Sequence, residues 1–343
     1  MKMTVLSVAY PFAPVKAVTA GGAEHVLSML DKGMVSRNIN SIVIASEGSA
    51  VKGELIAVPL KDQLIDEHLR KRVHEEYRQQ INNAIQKYNP AIVHMHGLDF
   101  NHYLPDKGAA VLATLHLPFK YYDEDAFDIS RPGTFFNCVS ASQEIQCSAV
   151  EGLLPFIENG VEMPECGTAK KEEYALCLGR ICYEKGYHLA IQAAKAAECR
   201  LILAGEVYPY AEHRIYFEKQ ILPHMDDEMF TYVGPVGGKE KDDLIAKARC
   251  VLIPSVVNET SSLVAMEAMA CGTPVIAFPN GALRNIVEDG RTGFLVHDEI
   301  EMAYAIRRSQ EIDPADCREV YRNKYTADRM IEDYLSLYNK ILS

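Results

Sequence analysis

Short apolar runs alternate with amphipathic stretches along this chain, and the alternation is laid out twice. In the first half, strand-like runs fall at residues 4–9, 41–45, 91–94, 110–115 and 135–139, with one more expected in 155–161. Helical stretches near 22–36, 62–88 and 141–150 lie between them, the long charged one stopped by Asn89-Pro90. The segment 162–173 is polar, carries Pro164, Gly167, Lys170 and Lys171, and reads as a linker. The pattern then restarts with strands at 174–178, 200–204, 229–233, 250–253, 274–278 and 293–296. Helices near 185–197, 210–224, 239–248, 262–270 and 283–289 fall between them. Apolar strands spaced by helices are buried on both faces only in a parallel sheet covered on each side. Two such series predict an α/β chain of two doubly wound, Rossmann-like domains facing each other across a cleft, residues 1–163 and 173–325.

The 343 residues suit two cores of roughly 150–170 residues each. A net charge of −12 argues against nucleic acid as the partner, because phosphate backbones call for a basic face. The nine cysteines are scattered with no CxxC pair, which reads as buried reduced thiols in a reducing compartment. The start resembles no signal peptide, and no apolar run reaches about 18 residues. A cytoplasmic location is expected, with peripheral contact at the inner membrane surface compatible with it.

The chemistry concentrates in the stretch from Pro254 to Pro274. A strand at 250–253 leads into a hydroxyl-rich turn, and an alanine-rich helix ends at Gly272. Glu259 lies on the loop and Glu267 on the helix, eight positions apart. A loop carboxylate can accept hydrogen bonds from two sugar hydroxyls, and one on the helix can hold a ribose diol. Glu267 sits among Leu263, Val264, Ala268 and Ala270, where a carboxylate needs a partner. Backbone N–H groups of Ser262, Leu263 and Val264 at the helix start can face a phosphate. In Gly179-Arg180…Lys185-Gly186, Arg180 leaves one strand and Lys185 begins the next helix. An Arg fork with a Lys point charge can clamp a diphosphate; two solvated cations are the plainer alternative. The Gly21-Gly22 turn before Glu24 can offer backbone N–H groups to an anion, but taken alone it reads more simply as a helix start. It is not GxGxxG, so a nicotinamide cofactor is poorly supported.

His116 ends the strand 110–115, and His94 and His96 end the preceding one. No carboxylate accompanies the three histidines at ligand spacing, so no metal is expected, and His94 reads as a core residue. Asp123-Glu124-Asp125 lies in an aromatic loop and reads as a solvated lid. Leu69-Arg70-Lys71-Arg72, among Glu67, Glu75 and Glu76, reads as a salt-bridged solvent face.

Together these motifs resemble the retaining glycosyltransferases of family 4, which have the GT-B fold. The match runs through Gly21-Gly22-x-Glu24, His116, Asn159-Gly160-Val161, Gly179-Arg180…Lys185-Gly186, Glu259…Glu267 and Glu267-Ala268-Met269-Ala270-Cys271-Gly272-Thr273-Pro274. The resemblance implies a donor that is a nucleoside-diphosphate sugar, linked to uridine or guanosine, and a sugar, lipid-linked or small-molecule acceptor. Arg180 and Lys185, with Gly22 and the turn Ser262–Leu263–Val264, would hold its diphosphate and Glu267 its ribose. His116 and Glu259 would be catalytic contacts to the transferred sugar, joined by Thr260 and Ser261. The base would lie near Val233, Gly234 and Val236. Neither metal nor cofactor is implied, the donor being a substrate. The tail 326–343, with Met330, Tyr334, Leu337 and Ile341 on one face, would be a helix crossing back to the N-terminal domain. The implied activity is hexose transfer with retention in cell-surface glycan or glycoconjugate synthesis. A sugar-nucleotide 2-epimerase and a non-catalytic nucleotide-binding scaffold are the rivals. The chain departs from the family in Thr260-Ser261-Ser262, where many members have Gly-Phe-Gly, and in Arg284-Asn285, where many have Pro-Glu. Loops 11–19 and 98–103 are candidates for the acceptor side.

Overall fold

The structure is a computed structural model that describes residues 3–16, 21–60, 65–165, 169–226 and 228–343. It divides into two compact units, Met1–Asn159 with Ala327–Ser343, and Gly160–Thr326.

In the first unit, β1 (Thr4–Val8), β2 (Asn40–Ser46), β3 (Glu54–Val58), β4 (Ile92–Met95), β5 (Ala110–Leu115), β6 (Thr134–Cys138) and β7 (Leu153–Leu154) form one parallel sheet. Its order is β3-β2-β1-β4-β5-β6-β7. Helices α1 (Gly22–Ser36), α2 (Glu67–Tyr88) and α3 (Ala141–Gln146) connect the strands. Side chains alternate across a strand, so one face of the sheet turns Leu6, Val8, Ile44 and Met95 into a core with Val73 and Ile81 of α2. The opposite face places Ala9, Val43 and Ala45 against Leu27 of α1. Burying each Leu, Ile or Val side chain contributes about 1.5–3 kcal/mol. The Asp66 carboxylate caps α2 by accepting from Leu69 N at 2.7 Å, and Asn89, at φ 44, ends it before Pro90. The helix thus begins after the expected residue 62, and residues 61–64 lie outside the described residues.

In the second unit, β8 (Tyr174–Leu178), β9 (Arg200–Ala204), β10 (Phe230–Tyr232), β11 (Cys250–Ile253), β12 (Val275–Ala277) and β13 (Gly293–Leu295) pair in parallel. Their order is β10-β9-β8-β11-β12-β13. Helices α4 (Tyr187–Ala197), α5 (Ala211–Tyr216), α6 (Gly238–Lys247), α7 (Leu263–Ala270), α8 (Leu283–Ile286), α9 (Glu299–Arg308) and α10 (Pro314–Lys324) surround the sheet. Each unit is the doubly wound α/β fold expected from the sequence. In each, the strand order reverses once, between β1 and β4 and between β8 and β11. Loops at such a reversal splay apart and leave room for a ligand.

The last helix, α11 (Ala327–Leu342), belongs to the first unit. Ile331 packs where a Cβ on Gly33 of α1 would sit, and Arg37 bonds Asp328 at 2.9 Å and Glu332 at 2.6 Å. Beneath it, His94 Nδ1 meets Tyr338 OH at 2.7 Å and His94 Nε2 meets Thr114 Oγ1 at 2.7 Å; Thr114 also donates to Asn137 Oδ1 at 2.7 Å. His94 is therefore the satisfied core histidine that the sequence suggested.

Several elements differ from the sequence reading. The edge strand β3 was not foreseen, because only one side of it pairs and most of its residues stay partly exposed. The strand expected in 155–161 is instead the two-residue β7, placed before Pro155, whose missing N–H ends the pairing. The helix expected over 210–224 stops being regular at Tyr216 and ends in a tight turn at 222–224 around Pro223. The segment 162–173 lies inside the second unit: Glu172 N bonds Lys247 O at 2.7 Å, and residues 166–168 are outside the described residues.

Candidate functional site

The loops after β8 and β11 flank the strand reversal of the second unit, and they carry most of the candidate residues. Gly186, at φ 67, lets the Lys185 turn press on the loop after β11; a Cβ there would collide with the carbonyl oxygen of Pro254. Lys185 Nζ consequently reaches Glu259 Oε1 at 2.6 Å, and Ser255 Oγ donates to the same oxygen. The Glu259 backbone is held from the other side, where Ala282 N bonds its carbonyl at 2.8 Å and Gly281, at φ 64, lies against it. Only Oε1 of Glu259 is engaged among the described residues, which leaves Oε2 for an outside donor. Arg180 is half-buried, stacks 5.7 Å above the Tyr208 ring, and has no carboxylate partner among the described residues. A planar guanidinium in that setting is matched to a multiply charged oxyanion.

Glu267 sits on α7, 8% exposed, and has the partner its apolar setting called for. Lys241 Nζ, on α6, donates to Glu267 Oε1 at 2.6 Å. Here too Oε2 has no partner among the described residues. Ser262 caps α7, its Oγ accepting from Ala265 N at 3.4 Å, so Leu263 and Val264 open the helix. Ser261 Oγ is buried with no hydrogen-bond partner. Buried hydroxyls are seldom left so. Beyond β10, Val233 is exposed, Gly234 takes φ 78, and Val236 packs on the core.

In the first unit, Gly22 opens α1 after Gly21, which provides no side-chain cap. Glu24 folds back over Gly21, where a Cβ would meet its carboxylate. Burial raises the Glu24 carboxyl above its usual range, only partly offset by a bond from its own backbone N–H. Ala20, the first residue of that motif, lies outside the described residues, as do residues 17–19 of the loop 11–19. His116 is half-buried after β5, and its Nε2 meets His96 Nδ1 at 3.0 Å. Burial pushes His116 down to about 4, and His94 and His96 well below the usual imidazole range. All three rings are neutral at pH 7.

Sequence reasoning missed several members of these sites. Lys241 carries no motif of its own, and Ser255, within the family-like Pro254-Ser255 pair, carried no assigned role; the fold brings them to the glutamates. In loop 98–103, Asp99 is buried and accepts from Tyr103 OH and from His74 Nε2, each at 2.8 Å. His74 comes from the middle of α2, too far along the chain for spacing to suggest it. From the acidic triplet, Asp123 Oδ2 meets His102 Nε2 at 3.2 Å, and the backbone carbonyls of Asp123 and Asp125 accept turn hydrogen bonds from Ala126 N and Asp128 N. On the basic run of α2, Lys71 pairs with Glu67 at 2.9 Å, as a solvent face would.

A family model described as glycosyl transferases group 1 matches residues 161–325, nearly the whole of the second unit. Among curated proteins, a D-inositol 3-phosphate glycosyltransferase of Nocardioides sp. is 46% identical over 84 residues, 24% of this chain and 18% of that protein. The chain therefore aligns with less than a fifth of that relative's length. The solved structure of sucrose-phosphate synthase from Thermosynechococcus elongatus covers 99% of both chains at 20% identity, with a TM-score of 0.80. Anabaena Alr3699/HepE in complex with UDP and glucose covers 98% of this chain and 99% of that one at 17% identity, with a TM-score of 0.75. At those identities the two structures carry the fold, and with them the match to the GT-B architecture. The sequence match is to the glycosyl transferases group 1 model, over residues 161–325, a little under half of this chain.

Proposed function

We propose that this chain moves a hexose-type sugar from a nucleoside-diphosphate sugar to an acceptor hydroxyl, with retention of anomeric configuration. The observation that carries the reading is the pair of lysine-clamped glutamates beside an arginine with no carboxylate partner among the described residues, at one strand reversal. Each clamp fixes a carboxylate and leaves one oxygen for an incoming hydroxyl: Glu259 for the sugar, Glu267 for the ribose. Arg180, Lys185 and the start of α7 at Ser262, Leu263 and Val264 would receive the diphosphate. Thr260 and Ser261 border the sugar, and the base lies by Val233, Gly234 and Val236. Gly22 and His116, in the first unit, are assigned to the donor's phosphate and sugar by family resemblance. Support also comes from the relatives, one named for glycosyl transfer and one solved with UDP and glucose.

In the reaction the bond from the anomeric carbon to the diphosphate oxygen breaks as the acceptor oxygen bonds the same carbon. Negative charge grows on the leaving diphosphate, and fixed cations and N–H donors aimed at it lower the barrier. The departing phosphate oxygen takes the acceptor's proton, so neither a side-chain base nor a cofactor is needed. Among the described residues no helix is long and apolar enough to cross a membrane. We place the reaction in the cytoplasm, on a sugar, lipid-linked or small-molecule acceptor, in glycan or glycoconjugate synthesis.

A thermal-shift panel of UDP- and GDP-sugars tests the donor. A ligand at a hundred times its Kd stabilises the protein by about 2.7 kcal/mol. One donor is expected to raise the midpoint, to be hydrolysed slowly without acceptor, and to lose both effects in Arg180→Ala. No shift with any nucleotide sugar overturns the reading. A shift without turnover or hydrolysis identifies a binding scaffold, and interconversion of the donor sugar identifies an epimerase.

A further inference from the structure

Next to the proposed diphosphate residues, the loops after β8 and β9 run side by side, tied by Ile181 N donating to Glu206 O at 2.9 Å. The first of them carries Cys182 and Glu184. The second leads into α5, where His213 turns back toward them. One donor atom from each of Cys182, Glu184 and His213 lies within 4.8 Å of the other two. Cys182 is 0% exposed, His213 is 8% exposed, and Glu184 is half-buried. His213 Nδ1 is buried with no hydrogen-bond partner, an arrangement that costs stability unless a ligand fills it.

We propose that Cys182, Glu184 and His213 form a zinc(II) site. Thiolate, imidazole and carboxylate together select a borderline-soft ion over magnesium or calcium, which prefer oxygen ligands. In a tetrahedral zinc site with bonds of about 2.0–2.3 Å, ligand atoms stand roughly 3.3–3.8 Å apart, so the three close in by about 1 Å. Three protein ligands leave the fourth position to water.

The surroundings suit this ion in two respects and oppose it in one. Burial would raise Glu184, but its own backbone N–H, the Cys182 thiol and Arg180 outweigh burial and keep its carboxyl below the usual range. Burial and Arg180 hold His213 below the usual imidazole range, so the ring is neutral and ready to bind. Burial pushes the Cys182 thiol up, so binding has to release its proton. Zinc affinity therefore rises with pH. The ion would pin the loop bearing Arg180 to the start of α5, a structural role separate from the metal-free transfer proposed above.

The test is titration of the metal-free full-length protein with zinc against a chromophoric chelator, together with cobalt(II) spectra. One equivalent of zinc is expected to bind, more tightly at higher pH, and cobalt is expected to give a thiolate-to-metal charge-transfer band. Cys182→Ser and His213→Asn should remove the band and weaken zinc at least as much as the roughly 10–100-fold lost with outer-shell partners. Circular dichroism and melting of the metal-free variants check the fold; if either variant is unfolded, Glu184→Gln replaces it with the same expectation for zinc. No stoichiometric zinc binding overturns the proposal. So does zinc that survives the folded variants but is lost in His96→Asn, since that places the ion at the first unit's histidines. Nucleotide-sugar binding measured with and without zinc shows whether the transferase reading stands or falls separately.

Discussion

Arg180 and Lys185 stand five positions apart and offer the same charge, yet their surroundings differ. Lys185 is tied to Glu259, whereas Arg180 lies on Tyr208 with no carboxylate partner among the described residues. Arg180→Ala is expected to lower kcat/KM by about tenfold to a hundredfold or more, since each charge-assisted contact is worth roughly 1.5–3 kcal/mol, with little change in melting temperature. Lys185→Ala is expected to lower both activity and melting temperature, because it strands Glu259, 11% exposed at the side chain. Equal melting losses in the two variants would refute this division of roles. The histidines make a pH prediction. His116 titrates near 4 in the folded chain, and near 6.5 when unfolded. The unfolded chain binds more protons between those values, so stability is complete above about pH 6.5 and is lost as pH falls toward 4. His94 and His96 act in the same direction. Melting followed from pH 7 to pH 4 checks this; a flat profile in a His94→Asn, His96→Asn, His116→Asn triple variant, against a falling one in the parent, is the expected contrast.

At the scale of elements, the strand–loop–helix from β11 to α7 holds its two carboxylates through backbone contacts as much as through charge. Gly281→Ala is expected to destabilise the second unit by about 1–2 kcal/mol for the left-handed backbone alone. Collision with the Glu259 backbone adds to that, and donor affinity should fall with it. A wild-type melting curve and donor titration would overturn the argument. Much of this element was legible beforehand: the apolar run at 250–253, the Ser262 cap and Gly272 bound it, and a carboxylate among alanines announced a partner. Which partner it would be was not legible, because Lys241 reaches Glu267 across 26 positions through the packing of α6 on α7. The Cys182, Glu184 and His213 group was hidden for the same reason: it needs β8 and β9 to be neighbours. Helices α9 and α10 both come after β13, where no following strand marks their bounds in the sequence.

At the scale of the whole molecule, the first unit is built from two separated stretches of chain. Removing the Tyr338 hydroxyl leaves His94 Nδ1 buried without its partner, at a cost of about 1–3 kcal/mol. Tyr338→Phe should therefore lower the melting temperature of the first unit without altering nucleotide binding, and an unchanged melt would count against the contact. The doubly wound class of both units could be read from the alternation of runs alone, since that pattern has few other solutions. The discontinuity could not: an amphipathic tail states that one face is covered and leaves open by what. That arrangement has a consequence during synthesis. The sheet of the first unit leaves the ribosome early with His94, Thr114 and Asn137 still waiting for Tyr334 and Tyr338. The later-made unit must be extruded in full before α11 can seal the earlier one, so the N-terminal fold is completed only after residues 160–326 have been made.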